Sequence, residues 1–374
     1  MTNKKNIAII TLSVTKAGFV PVQKLFRIIK SISNEVYLLT GGLGANLKDE
    51  CPENCHIYSI KHDLKDSTIS RILNFIKTQF KYLIQLHKII NDVDMILFYI
   101  GGQGLILPLF LSRVYSKKVV LVFAGSPAST AKAKNDTLTG SIFLLSRIAC
   151  RFSNQIIVNS KGQIKEFELE KYEDKIDTAM EHIIDFDKFH IEKDINVRDE
   201  CVGYVGRLSR EKGILNFLKA VNILVKKGCQ LNFTICGEGD MEDDVKDYIS
   251  REKLQDKVEY KGWISDQELP HHLNNLKLIV IPSYTEGLPN LMLESMACGT
   301  PVLSNRVGSI PEIILEGKNG FLMDNNSPET IAHNILKSLN SPDLNKISAH
   351  AQEYIINNFE IEKVRKNWSK ILYK

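Results

Sequence analysis

The 374-residue chain is 44% apolar and 25% charged, a balance that excludes a disordered or fibrous polymer, and its length suits two α/β domains better than one core. Its formal charge of +4 divides unevenly: residues 1–190 hold 25 Lys and Arg against 18 Asp and Glu, or +7, and the remainder 23 against 26, or −3. No nucleic-acid partner is implied by so small a surplus, and the basic first half reads either as a solvated surface or as one that meets an anionic partner such as lipid headgroups. The seven cysteines are odd in number and scattered. Cys51 and Cys55 lack the second pair that a zinc site needs, so a reducing cytoplasm is the expectation.

In chain order, Lys4 and Lys5 precede the apolar run Ile7 to Leu12, too short for a signal peptide and interrupted by Lys16, so a first β-strand is predicted. Further strands are predicted at Val36 to Leu39, Met95 to Tyr99, Val119 to Phe123 and Gln155 to Val158. Residues 95–112 are eighteen without a charge, the length of a membrane span, but Gly101-Gly-Gln-Gly104 and Pro108 divide them into strand, turn and a helix over Leu105 to Val114. A second series runs Val202 to Val205, Leu231 to Ile235, Val258 to Tyr260, Leu278 to Ile281 and Val302 to Ser304. Short strands without alternation, separated by helices, predict parallel sheets covered on both faces. No internal repeat or low-complexity tract interrupts them. Residues 185–200, rich in Asp, Lys, Glu and Asn, are the expected linker between the two series.

Between the strands of the first half, Arg71, Lys77, Lys81 and Lys88 alternate with Ile72, Phe75, Ile76, Phe80, Leu83, Ile84 and Ile90 in a helix with no visible cap. Such a helix either lies on an anionic membrane or packs on the first sheet. At the other end of the chain Ile361, Val364, Trp368, Ile371 and Leu372 form a helical stripe.

The most informative stretch is Glu286-Gly-Leu-Pro-Asn-Leu-Met-Leu-Glu294, two carboxylates eight positions apart just after the strand Leu278 to Ile281. Pro289 suits a first helical residue, so a helix is predicted over Leu291 to Ala297, ended by Gly299 and Pro301. The backbone of Gly287, Leu288, Pro289 and Asn290 would then face the ligand side of the strand as a ready anion site. Carboxylates on both sides of an anion site fit a ligand that carries hydroxyls as well as phosphate, as a sugar nucleotide does. Upstream, Gly203-Tyr-Val-Gly206-Arg207-Leu-Ser-Arg-Glu-Lys212-Gly213 follows a strand and precedes a helix, so Arg207 and Lys212 are expected to converge where a diphosphate departs. Gly237-Glu238-Gly239 closes the next strand with the glycines a tight turn needs.

Ser283, Glu286-Gly287-Leu288-Pro289, Glu294, Ala297-Cys298-Gly299-Thr300-Pro301-Val302 and Gly308-Ser309-Ile310-Pro311-Glu312 together resemble the nucleotide-sugar signature of retaining GT-B glycosyltransferases, family 4 in particular. The resemblance is specific over residues 200–325 and topological over the first half. It implies an α/β fold of GT-B type, two doubly wound Rossmann-like domains facing a central cleft. Residues 1–190 would be the acceptor-binding domain, with a terminal helix of about 357–374 crossing back to it, and 198–356 the nucleotide-sugar domain.

On this resemblance Glu286 contacts the transferred sugar, Glu294 the ribose, the backbone between them the phosphate, and Arg207 with Lys212 the diphosphate. Gly206 and Gly237-Glu238-Gly239 line the nucleotide pocket, the strand end near Gly262-Trp263-Ile264 frames the base, and Gly18 lets backbone approach the donor phosphate. Where many members place a histidine near the sugar this chain has Ala124-Gly-Ser126, and none stands at Gly101 to Gly104. His182, in Glu181-His-Ile-Ile-Asp185, is read as structural.

The implied activity is retaining, metal-independent transfer of a sugar from a nucleoside diphosphate donor to an acceptor hydroxyl, in glycan, polysaccharide or glycolipid biosynthesis. No cofactor is expected, and the partners are the donor, a glycan or lipid-linked acceptor and an anionic membrane surface at the cytoplasmic face. The residues leave the donor sugar, the base and the acceptor open. Two alternatives stand beside this reading. One is a donor-binding subunit with impaired catalysis, motivated by Ala124. The other is a GT-B sugar-nucleotide epimerase, which needs acid and base residues near the sugar that the sequence does not offer.

Overall fold

The computed structural model describes residues 4–51, 54–62, 67–124 and 137–374. They fall into two compact units, one of Met1–His182 with Val364–Lys374, the other of Ile183–Lys363.

The first unit is built on seven parallel strands: β1 (Ile7–Val14), β2 (Val36–Gly42), β3 (Cys55–Ser59), β4 (Met95–Phe98), β5 (Lys118–Phe123), β6 (Gln155–Val158) and β7 (Ile176–Thr178), in the order β3-β2-β1-β4-β5-β6-β7. The inner strands are unalternating apolar runs because helices cover both faces: α1 (Lys16–Ile32), α2 (Thr68–Ile89), α3 (Ile106–Val114), α4 (Thr139–Phe152) and α5 (Gly162–Glu166). Ile10, Phe98, Leu121 and Ile156, one from each of four neighbouring strands, are buried in a single core cluster. The predicted strands are all present. β3 and β7 were not predicted, since the first is a half-buried edge strand of mixed polarity and the second has three residues.

Helix α2 answers the two readings of its sequence with two apolar faces. Tyr82, Leu86 and Ile89 are buried in the core, while Ile69, Ile72, Leu73, Ile76, Phe80 and Ile84 are 73, 43, 56, 47, 51 and 58% exposed. At 100° per residue these six fall on one stripe, with Lys77, Lys81 and Lys88 along one of its edges. The helix is capped, contrary to expectation: the Ser67 side chain accepts from the Ser70 N–H at 3.3 Å. None of the described helices is long and apolar enough to cross a membrane.

In the second unit β8 (Cys201–Val205), β9 (Asn232–Cys236), β10 (Val258–Gly262), β11 (Leu278–Ile281), β12 (Val302–Asn305) and β13 (Phe321–Met323) pair in the parallel order β10-β9-β8-β11-β12-β13. Its helices are α6 (Ile214–Lys226), α7 (Glu242–Arg251), α8 (Leu269–Asn274), α9 (Asn290–Ala297), α10 (Ile310–Ile313), α11 (Pro328–Leu339) and α12 (Leu344–Phe359). In both sheets the strand order reverses beside the first strand of the series, and ligands of such sheets bind beyond the carboxyl ends of the strands at that point.

The last helix, α13 (Ile361–Leu372), buries Val364, Trp368, Ile371 and Leu372, and leaves Ile361 of the predicted stripe 36% exposed. From Val364 on it belongs to the first unit, where Trp368 Nε1 donates to the Met180 carbonyl at 2.9 Å, and Lys118 and Gln155 donate to the carbonyls of Leu372 and Ile371.

Residues 185–200, read from composition as a linker, belong to the second unit. Asn274 holds them there, accepting from the Glu192 N–H at 2.8 Å and donating to the His190 carbonyl at 3.0 Å, and so does Arg198. Its guanidinium is 4% exposed and donates to the carbonyls of Lys193, Leu276 and Cys298 at 2.9, 3.1 and 2.7 Å, and to Thr300 Oγ1 at 2.7 Å. A cation here satisfies carbonyls at the ends of α8 and α9, where the helix dipoles are negative. Burial lowers its pKa to about 10, so it stays charged at neutral pH.

Replacing Arg198 by Ala should therefore lower the unfolding free energy by about 3 kcal/mol, since several buried carbonyls lose their donor together, and Lys should restore less than half of it. Urea denaturation checks this; a loss below about 1 kcal/mol would mean that water takes over the carbonyls.

Candidate functional site

The site assembles where the second sheet reverses, from the loops that leave β8 and β11. At the end of β8, Gly206 has φ +149° and donates to the Cys236 carbonyl at 2.9 Å. At the end of β9, Gly237 has φ +135°, and a Cβ there would lie 1.9 Å from the Gly206 oxygen. A Cβ on Gly239 would lie 2.2 Å from the Leu208 oxygen, and the Leu208 N–H donates to the Glu238 carbonyl at 2.9 Å. These glycines thus lock the 206–208 loop against the turn at 237–239 by close backbone approach, whatever else they touch.

The chain then makes a short turn at Arg210–Lys212 and passes through Gly213, φ +73°, against the Pro282 carbonyl. Across the gap the Tyr284 N–H donates to the Glu211 carbonyl at 2.8 Å. The two loops are held in register, and Lys212 Nζ donates to Glu286 Oε1 at 2.7 Å. Ser283 Oγ donates to the same oxygen at 2.7 Å. The Glu286 side chain is 10% exposed and that of Lys212 26%, so water screens this pair only partly.

Arg207 also lines the site, but its guanidinium is 65% exposed and Nη2 donates to Glu211 Oε1 at 2.8 Å. The two cations expected to converge are each held by a carboxylate of their own in this structure. Tyr204, whose phenol is pushed up in pKa by burial and by the charge of Glu286, donates to the Arg207 carbonyl at 2.9 Å and fixes the backbone there.

Gly206, Arg207, Lys212, Ser283, Glu286, Pro289 and Asn290 together line a cavity of about 280 Å³. Pro289 is the residue before the helix, with ψ 124° in the extended region, and not its first residue: α9 begins at Asn290. No side chain caps this helix. Glu294 is half-buried one turn beyond Asn290 on the same face. The helix ends through Gly299, φ +65°, with the Thr300 N–H on the Ser295 carbonyl and the Gly299 N–H on that of Met296.

Of the remaining expected residues, Gly287 and Leu288 stand in the loop before Pro289, and Glu238 is exposed on the 237–239 turn. Trp263, beyond β10, is 71% exposed. Gly18 belongs to the first unit and lies inside α1, where an added Cβ would meet only ordinary contacts at 3.6 Å, so its backbone does not require glycine. Ala124 follows β5, and Gly125 and Ser126 lie outside the described residues. His182 closes the first segment of that unit. His272 is buried against Thr234 and Cys236, and burial lowers its pKa to about 4, so it is neutral and structural. The seven cysteines are free thiols, and the described residues contain no cluster of His, Cys, Asp and Glu able to hold a metal.

Some of the supports carry no signal of their own in the sequence. Asn305 Nδ2 donates to the Ser283 carbonyl at 2.9 Å and Asn326 Nδ2 to that of Pro282 at 3.0 Å, so side chains from β12 and from beyond β13 hold the loop after β11. Gly308, φ +56°, passes so close that a Cβ would lie 2.1 Å from the Glu286 carbonyl, and the Ser309 N–H donates to Gly287 at 2.9 Å. This is the physical role of the Gly308-Ser309 part of the signature: it clamps the backbone that carries Glu286.

Residues 185–357 match the model of the family described as glycosyl transferases group 1. The chain is 24% identical over 373 residues to the capsular polysaccharide biosynthesis glycosyltransferase CapM of Staphylococcus aureus, covering 94% of this chain and 91% of that one. It is 29% identical over 143 residues to the uncharacterized glycosyltransferase MJ1178 of Methanocaldococcus jannaschii, where the match covers 38% of this chain and spans 39% of the relative's length. Among solved structures, Alr3699/HepE of Anabaena in complex with UDP superposes with a TM-score of 0.77 at 17% identity, covering 98% of this chain and 99% of that one. The chain is thus similar to the glycosyl transferases group 1 family over residues 185–357, and its α/β fold is of the GT-B type.

Proposed function

We propose that the protein is a retaining glycosyltransferase of family 4 that moves a sugar from a nucleoside diphosphate donor to the hydroxyl of a glycan or lipid-linked acceptor, in polysaccharide or glycolipid biosynthesis, without a metal or other cofactor. The observation that carries the reading is the Lys212 to Glu286 pair, tied by Ser283, at the reversal point of the second sheet and beside the start of α9. A cation, a carboxylate and a helix start in one cavity suit a ligand that is part phosphate and part sugar. The name of the capsular relative and the UDP complex of the structural neighbour support it.

In the proposed reaction the bond from the anomeric carbon to the leaving phosphate oxygen breaks, and a bond to the acceptor oxygen forms on the same face. The acceptor proton passes to the leaving phosphate. Lys212, Arg207 and the start of α9 stabilise the charge that grows on that phosphate, Glu286 orients the sugar, and Glu294 holds the ribose. Arg207 turns from Glu211 to the diphosphate, a small cost for an exposed pair. Detectable donor hydrolysis by the purified protein would rule out the impaired-subunit reading that Ala124 raises.

Alanine at Arg207 or at Lys212 should lower kcat/KM by about 2 to 4 kcal/mol of transition-state stabilisation, measured with a radiolabelled donor. Turnover should persist in EDTA; an absolute Mg²⁺ or Mn²⁺ requirement would overturn the cationic reading.

The carboxylates separate by what they bind. Glu286→Gln should weaken discrimination among donor sugars, and Glu294→Gln should weaken binding of the bare nucleotide. Calorimetry with UDP, GDP and ADP and with their sugars measures both, and equal effects on free-nucleotide affinity sink the assignment.

The +7 surplus of residues 1–190 and the lysine-edged apolar stripe of α2 support reversible attachment to an anionic membrane at the cytoplasmic face. Co-sedimentation should show binding to anionic vesicles at low salt, lost at high salt, and weakened by about 1 kcal/mol per residue when Lys77, Lys81 and Lys88 become Gln. Indifference of the wild type to anionic vesicles at low salt would reduce the surplus to solvation.

A further inference from the structure

The first unit holds a cavity larger than the one lined by Lys212 and Glu286 and opposite in character. It encloses about 630 Å³ and is walled by Phe75 and Ile76 from α2, Leu107 from α3 and Ile142 and Leu145 from α4, with Leu12 from β1. It also reaches Gly101 and Gly104, just beyond β4. Since the first sheet reverses between β1 and β4, the cavity occupies the place where ligands of such a sheet bind. Its volume is in the range of pockets that bury a small molecule.

The wall is largely apolar, and its Gln79 is engaged, donating to the Gly104 carbonyl at 2.8 Å and accepting from the Leu107 N–H at 3.1 Å; Gln103 donates to the Val122 carbonyl at 2.6 Å and leaves its Oε1 unpaired among the described residues. A sugar would find few partners there, whereas a hydrocarbon needs none. Ile72 and Ile76 line the cavity and are also 43 and 47% exposed as members of the α2 stripe. The cavity thus communicates with an apolar surface. Arg71 also stands in the wall, so one guanidinium lies beside the apolar surface, while Lys77 and Lys81 fall on the other side of the helix.

We infer that this cavity takes one hydrocarbon chain of an anionic amphiphile, with the anionic head beside Arg71. The site stands on its own geometry; that its occupant is the lipid part of a glycosyl acceptor rests on the function proposed above.

Calorimetry with hexyl, octyl and decyl phosphate, each below its critical micelle concentration, tests it on the full chain, with inorganic phosphate as the headgroup control. Affinity should rise roughly tenfold for each pair of added methylenes, and inorganic phosphate should not compete. Ile142→Trp, which fills the cavity, and Ile72→Gln, at its exposed rim, should each weaken decyl phosphate tenfold or more and leave UDP binding unchanged. Equal affinity across the alkyl series, or wild-type affinity in the rim variant, overturns the proposal. The rim variant decides the matter if Ile142→Trp fails to fold. A UDP titration on the same preparation keeps the two readings apart: chain-length dependence without UDP binding upholds the cavity and sinks the donor site, and the reverse result does the opposite.

Discussion

Everything in the second unit turns on how closely two backbone loops approach at the point where its sheet reverses. The loop after β8 and the loop after β11 leave neighbouring strands and meet at Gly213, where an added Cβ would lie 2.1 Å from the Pro282 carbonyl, while Gly237 after β9 and Gly308 after β12 brace the two loops at 1.9 and 2.1 Å from the carbonyls of Gly206 and Glu286. Since no side chain fits in those gaps, the loops cannot slide past one another. That rigidity brings Lys212 and Glu286, which are far apart in sequence, to 2.7 Å. A cation placed this way needs no reorganisation to meet charge that develops beside it, which is where most of the value of a preorganised site lies.

The carboxylates make sense in the same frame. An isolated Glu286 beside the start of a helix would compete with any anion for the helix dipole. Held by Lys212 and Ser283, it is neutralised locally and still presents an acceptor for hydroxyl groups. Arg207, exposed and paired with Glu211, carries the adjustable part of the positive charge. The site therefore combines one cation fixed in place with one able to swing.

The first unit solves a different problem with the same topology. Its reversal point lies beside an apolar cavity, and the helix that walls it has apolar residues on two faces. A solvent-exposed stripe of six large apolar side chains is costly for a monomer in water, since such patches promote association. The stripe and the cavity share Ile72 and Ile76, so the exposed apolar surface runs on into the apolar cavity.

The sequence by itself determined the strand series, because buried parallel strands are uncharged β-branched runs that read plainly against their helices, and it determined the donor-side candidates, because Glu286, Glu294, Arg207 and Lys212 sit at strand ends and helix starts that local chemistry marks. Edge strands of mixed polarity or three residues, such as β3, β7 and β13, carry too little pattern to be read. The cap of α2 and the extended conformation of Pro289 are local, yet each depends on how the chain enters its helix. Only the tertiary structure decided that Asn274 and Arg198 tie residues 185–200 into the second unit, that Gly308 clamps Glu286, and that Arg207 and Lys212 each face a separate carboxylate. Lys212 with Glu286, Gly308 with Glu286 and Arg198 with Cys298 join residues tens of positions apart, and a periodicity of two or 3.6 residues cannot encode such contacts. The exposure of the α2 stripe is of the same kind, since an amphipathic pattern names two faces and only packing decides which of them meets the core.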